Sequence, residues 1–223
     1  MKIRNFVKGF AVAAMLSSGA HASIVSETAV ADDWFRSTNS TYTSFITSGN
    51  PSDVFLRTFG YNGPYNRSAL EFSLAGISAG SSISSATFTI QSRGSAVAGD
   101  TFQFWGYGGD GVITAVDALQ TTHLLATAPT LGGQPLYTID VTAFIQSLVN
   151  VADDYAGILI TVANQGQFHG NDFSSSEWST VADRPNLTIN YAAAQSVPEP
   201  VSLALVGMGL AGLGLSRRKN KKA

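Results

Sequence analysis

The residues whose types and spacing suit chemistry are carboxylates and aromatic rings. Asp110, Gly111 and Asp117 stand where positions 5, 6 and 12 of a twelve-residue calcium loop would fall, a register in which carboxylates and one backbone carbonyl wrap the ion. Positions 1 and 3 of that register are Gly106 and Gly108, which offer no side-chain oxygen. The segment is therefore either a calcium loop lacking two ligands or a glycine-rich loop entering a helical turn at residues 117–120, and the missing oxygens favour the second. Asp32, Asp33 and Glu177 form another candidate set for a structural calcium. The first two flank the expected first strand and the third precedes the last, so they would either pin strand ends through a cation or sit solvated in loops.

A pyranose packs its C–H face on an aromatic ring and needs a few planar polar groups for its hydroxyls. Trp105, Tyr107, Trp178, Trp34, Tyr61 and Tyr65 are the candidate platforms, with Arg67, Asn62 and Asn171 as hydrogen-bonding partners. The Gly63-Pro64 turn predicts that Tyr61 and Tyr65 are exposed together. Trp105 follows Phe102 and Phe104, so one of the three must face away from the core or sit at a bulge. Arg67 and Glu71, four apart on a strand, share a face about 13 Å from each other, and each is expected to pair with a neighbouring strand. No catalytic constellation is legible. His21, His123 and His169 lack metal-ligand spacing and a neighbouring nucleophile, and the chain has no Gly-x-Ser-x-Gly elbow. Asp32-Asp33 and Asp153-Asp154 would point to opposite faces of a strand, which suits no glycosidase pair. The reading is a protein that is not an enzyme.

The elements that must position these groups are mostly strands. Thr87–Ile90 and Thr101–Trp105 alternate apolar and polar residues. Residues 33–36, 54–59, 69–74, 136–139, 157–162 and 187–191 are similar short runs bounded by Gly, Ser, Asn and Asp. Many short strands predict an all-β sandwich whose two sheets bury alternate side chains. One helix is expected after Asp140, a good N-cap, because Val141, Phe144, Ile145, Leu148 and Val149 form an apolar stripe that would seal one end of the sandwich. Residues 37–50 and 76–85 read as loops.

Every lysine lies in the terminal segments, at Lys2, Lys8, Lys219, Lys221 and Lys222. Between Ser23 and Ala194 five arginines face fourteen carboxylates, a net charge of −9 that repels nucleic acid and excludes it as a partner. The chain has no cysteine, so the fold rests on its apolar core without disulfides.

Both ends read as addresses. Lys2, Arg4 and Lys8 precede an apolar run, and Ala20-His21-Ala22 offers signal peptidase a small-x-small site with Ser23 as the new N-terminus, so residues 1–22 read as a signal peptide. Residues 195–223 combine Val197-Pro198-Glu199-Pro200, an uncharged run at 201–215 and the basic tail 216–223. As a helix the run would span about 22 Å, short for a permanent anchor, and the basic tail fits the cytoplasmic side, so this transmembrane segment is expected to hold the chain at the inner membrane transiently. This tail resembles the PEP-CTERM sorting signal of Gram-negative bacteria, which implies cleavage by an exosortase and delivery to the cell surface or extracellular matrix.

The 23–194 domain carries a second resemblance. Asn66-Arg67-Ser68-Ala69-Leu70-Glu71-Phe72-Ser73-Leu74, Ile83–Phe88, Asp140–Asn150, Tyr155–Ile160, Ser176-Glu177 and Arg184–Tyr191 are similar, in order, to the blocks of DNRLRE-type domains, jelly-roll sandwiches related to carbohydrate-binding modules. The resemblance implies a polysaccharide partner in an exopolysaccharide or biofilm matrix, with structural calcium as the one cofactor to test. The alternatives are a purely structural surface protein and a polysaccharide-degrading enzyme.

Overall fold

The computed structural model describes residues 22–38, 43–47, 55–60, 65–97, 99–164 and 169–194. They form twelve strands and one helix: β1 Ala22–Thr28, β2 Ala31–Ser37, β3 Phe45–Thr47, β4 Phe55–Gly60, β5 Asn66–Ser73, β6 Ser82–Val97, β7 Thr101–Gly108, β8 Leu124–Pro129, β9 Leu136–Asp140, α1 Thr142–Asn150, β10 Tyr155–Val162, β11 His169–Ser174 and β12 Asn186–Ala192. The strands pair throughout in antiparallel fashion. One sheet runs β1-β12-β6-β9 and the other β3-β2-β5-β10-β7-β8, with β4 and β11 joining them. The sixteen-residue β6 serves both sheets: its first half pairs with β12 and β9, its second with β11 through two register shifts.

Alternation explains the core. On β7, Phe102 and Phe104 are fully buried while Gln103 and Trp105 point the other way; on β6, Ala86, Phe88 and Ile90 turn inward while Thr87 and Thr89 do not. The inner side chains meet as a chain of edge-to-face rings, with Phe72 5.7 Å from Phe88, Phe88 6.3 Å from Phe104 and Phe102 5.2 Å from Phe173. Such geometry adds about 0.5–1.5 kcal/mol per pair beyond the area buried.

The helix begins one residue later than its capping aspartate suggests. Asp140 Oδ1 accepts the amide of Thr142 at 2.9 Å, and Phe144, Ile145, Leu148 and Val149 are the buried stripe. Thr142 and Gln146 in turn tie α1 to β6, since Thr142 Oγ1 accepts the Ala86 amide and Gln146 Oε1 the Ile83 amide. The expected loops are partly strand: β3 lies inside 37–50, and β6 starts at Ser82. Residues 1–21 and 195–223 lie outside the described residues, and with them the signal peptide except Ala22, the sorting motif 197–200 and the apolar run 201–215. Among the described residues no helix is long and apolar enough to cross a membrane.

Candidate functional site

The aromatic candidates separate by strand parity and by what covers the sheet. Tyr65 is completely buried, its hydroxyl donating to the Val162 carbonyl at 2.6 Å and accepting the Val162 amide at 3.2 Å. It faces the interior, which corrects the expectation of an exposed Tyr61–Tyr65 pair; Tyr61 and Asn62 lie outside the described residues. Tyr107 is on the outer face of its sheet but is only 7% exposed. Gly157 on the neighbouring strand leaves the gap its ring occupies, since a Cβ there would fall inside the ring's van der Waals envelope. Trp178 is half-buried beneath the Arg93 guanidinium, 4.0 Å from the ring centroid. Trp34 lies under Arg57 at 5.5 Å. Asn171 is fully buried and donates to Ser92 Oγ, so it faces no ligand.

Trp105 is different. It opposes Leu159 on β10, faces outward with Gln103, and sits where the β7–β8 ladder shifts register between Phe104 and Trp105. Its indole N–H donates to Thr161 Oγ1 at 2.9 Å, and that hydroxyl donates onward to Gln103 Oε1 at 3.3 Å. A half-buried ring, packed in part against the core, is thereby held by a short relay of uncharged polar groups, with the Gln103 amide beside it. Gln103 could have been found from the parity of Phe102 and Phe104; Thr161 could not, because it reaches the ring only through the β7–β10 register.

The acidic candidates fall into two places. Asp32, Asp33 and Glu177 line one cleft of about 450 Å³ together with Val30, Ala31, Gly111, Val112, Ile113 and Ser176. Asp32 Oδ2 accepts the Ser176 amide at 2.6 Å and Asp33 Oδ1 accepts the Trp34 amide at 2.7 Å. Burial pushes the Asp32 carboxyl up to about 6; the Ser176 hydrogen bonds pull the other way, and the charges of Glu177 and Asp33 add to the rise. Among the described residues no three His, Cys, Asp or Glu side chains are placed together to hold a metal ion.

Asp110 and Asp117 cap their own loop. Asp110 Oδ1 accepts the Val112 amide at 2.9 Å, and Asp117 Oδ2 accepts the Thr114 amide at 2.7 Å at the start of a 3-10 turn over Asp117–Leu119. Gly106 and Gly108, the two positions a calcium loop needs, belong to β7. A Cβ on Gly106 would overlap the Phe144 ring, so packing is what excludes a ligand there. The helical turn lies where the second reading places it.

That loop is clamped to the sheet by the pair Arg67 and Glu71. Both are buried on β5, at 6% and 0% exposure, and each reaches the loop, which corrects the expectation that neighbouring strands are their partners. Arg67 Nη1 donates to the Ala118 carbonyl while its guanidinium lies 4.6 Å from the Phe45 ring centroid and 5.3 Å from that of Tyr65. Glu71 Oε2 accepts the amides of Gly111 at 2.6 Å and Asp110 at 3.1 Å. Burial raises the Glu71 carboxyl, opposed by the Gly111 amide and reinforced by the charges of Asp117 and Asp110. Burial raises the Tyr107 hydroxyl too, with Asp117 and Glu71 adding to it. Neither Glu71 Oε1 nor the Tyr107 hydroxyl has a partner at hydrogen-bond geometry, although Glu71 adds to the rise of the Tyr107 hydroxyl. Arg67 and Glu71 thus hold the loop, and Arg67 and Tyr107 are both buried.

His123, Leu124, Phe144 and Gln146 line a second hollow of about 500 Å³ among β6, β8, β9 and α1, with His123 edge-on to Phe144 at 5.6 Å. Sequence reasoning missed it because its walls come from four separate elements.

Residues 196–219 match the PEP-CTERM protein-sorting motif. No curated protein matches the chain. The motif implies an exported protein that an exosortase processes and that is sorted to the cell envelope or surface of a Gram-negative bacterium.

Proposed function

We propose that the exported domain is a non-catalytic, jelly-roll-type sandwich that binds polysaccharide in the matrix outside the cell, with Trp105 as its platform. The observation that carries this reading is the outward ring of Trp105, fixed by Thr161 and flanked by the Gln103 amide. An aromatic face beside uncharged donors and acceptors suits the C–H and O–H faces of a sugar. The acidic surface favours a neutral glycan over a uronate-rich one, because like charges repel across an interface. The test is retention on affinity gels of neutral and acidic polysaccharides, with and without chelator. Trp105→Ala is expected to abolish retention while leaving the melting temperature within a few degrees, and the chelator arm reports whether calcium takes part. Equal retention of wild type and Trp105→Ala would remove Trp105 as the platform.

The second reading is a purely structural surface protein. It is favoured by one observation, that β1 pairs on one side only among the described residues.

A further inference from the structure

Four strands among the described residues have a pairing partner on one side only: β1, β3, β8 and β9. An open edge presents unpaired amides and carbonyls, and proteins blunt such edges with short strands, charges, prolines or bulges. Three of the four are blunted. β3 has three residues; β8 ends in Pro129 and carries a register shift; β9 has five residues, follows Pro135 and bears Asp140. β1 has none of these devices along Ser23–Ser26. It runs seven residues in unbroken register with β12, contains no proline or lysine, and leaves Ile24 72% exposed.

Charge points to the same edge. The domain carries −9, which keeps two copies apart over most of the surface. The four strands of this sheet carry only Glu27, Asp140 and Arg93 as charged side chains. Two acidic domains can approach here with the least repulsion.

We propose that β1 is a self-association edge, occupied by β1 of a second copy of this chain in an antiparallel two-fold pair that makes the two sheets continuous. A two-fold centred on Val25 sets Ser23 opposite Glu27 of the second copy on the same face. Cleavage after Ala22, as the small-x-small site predicts, leaves a positive α-amino group on Ser23, so the pair gains two symmetry-related amino–carboxylate contacts. With the signal peptide retained, Ser23 lacks that charge. Signal-peptide removal therefore licenses assembly, and the proposal stands independently of glycan binding.

The test is sedimentation equilibrium of the exported, signal-cleaved protein across concentration and salt. Concentration-dependent dimers that tighten as salt screens the net charge are expected. Val25→Lys puts two ammonium groups on the two-fold, and Glu27→Lys opposes like charges; each is expected to weaken association by at least about tenfold. Ile24→Lys, at an exposed position, decides the matter should Val25→Lys fail to fold. Leu136→Lys on β9 is the control and leaves association unchanged. A wild-type protein that stays monomeric, dimers that survive both Glu27→Lys and Ile24→Lys, or dimers lost in Leu136→Lys would each overturn the proposal.

Discussion

Asp32→Asn is expected to stabilise the folded protein at neutral pH, although it removes a charged side chain that accepts a 2.6 Å hydrogen bond. The reason lies in what the cleft does to the carboxyl. Raising it from the usual ~3.9 to about 6 corresponds to about 3 kcal/mol in favour of the protonated form. Because the folded state binds the proton more tightly than the unfolded state, the contribution of Asp32 to wild-type stability is greatest below pH ~4, is lost as pH rises through about 6, and is flat above. Asparagine does not ionise, and its Oδ1 still accepts the Ser176 amide. The gain at pH 7 is therefore up to about 3 kcal/mol, reduced by whatever the new Nδ2 leaves unpaired. Urea denaturation in EDTA, at pH 4 and pH 7, measures it. The variant should exceed wild type at pH 7 and match it near pH 4. Destabilisation at pH 7, or a difference that does not change with pH, would show that burial does not penalise the ionised group and that the Ser176 bond dominates the site.

Two further outcomes follow from the packing around the clamped loop. Gly157→Ala places a methyl group against the Tyr107 ring between central strands; overpacking there should cost about 1–3 kcal/mol by denaturant titration, and Tyr107→Leu in the same chain should recover part of it. Arg67→Ala removes the bond to the Ala118 carbonyl and the contacts with Phe45 and Tyr65, so protease nicking within residues 112–120 should accelerate well before global unfolding, by intact-mass time course.

Local pattern and long-range pairing contributed unequally to these conclusions. Thr101–Trp105 alternates cleanly, and the Val141–Val149 stripe at helical spacing was readable without knowing its partners. β11 was not, because His169-Gly170-Asn171-Asp172 has no apolar alternation and becomes a strand only between β4 and β6. β8 ends in proline and contains two alanines, which reads as loop. β1 hides behind a signal-peptide boundary, and its partner lies some 160 residues away. The site misjudgements share one cause. Tyr65, Tyr107 and Arg67 look exposed from local sequence, whereas the Val162 backbone holds Tyr65 in the core, the missing Cβ of Gly157 admits the Tyr107 ring and the Ala118 carbonyl draws in Arg67. Which face of a sheet a loop will cover is a property of tertiary closure and leaves little trace in spacing.

The register that sets Ala22 beside Ala192 has a mechanical consequence. The last strand, flanked by β1 and β6, leads straight into the segment by which the cell handles the chain. A tug along that segment loads two ladders of hydrogen bonds in shear at once, where an outermost strand would peel from a single neighbour one bond at a time. The polypeptide is thus gripped where two neighbouring strands share the load, a useful property for a chain that is exported and sorted by its C-terminal end.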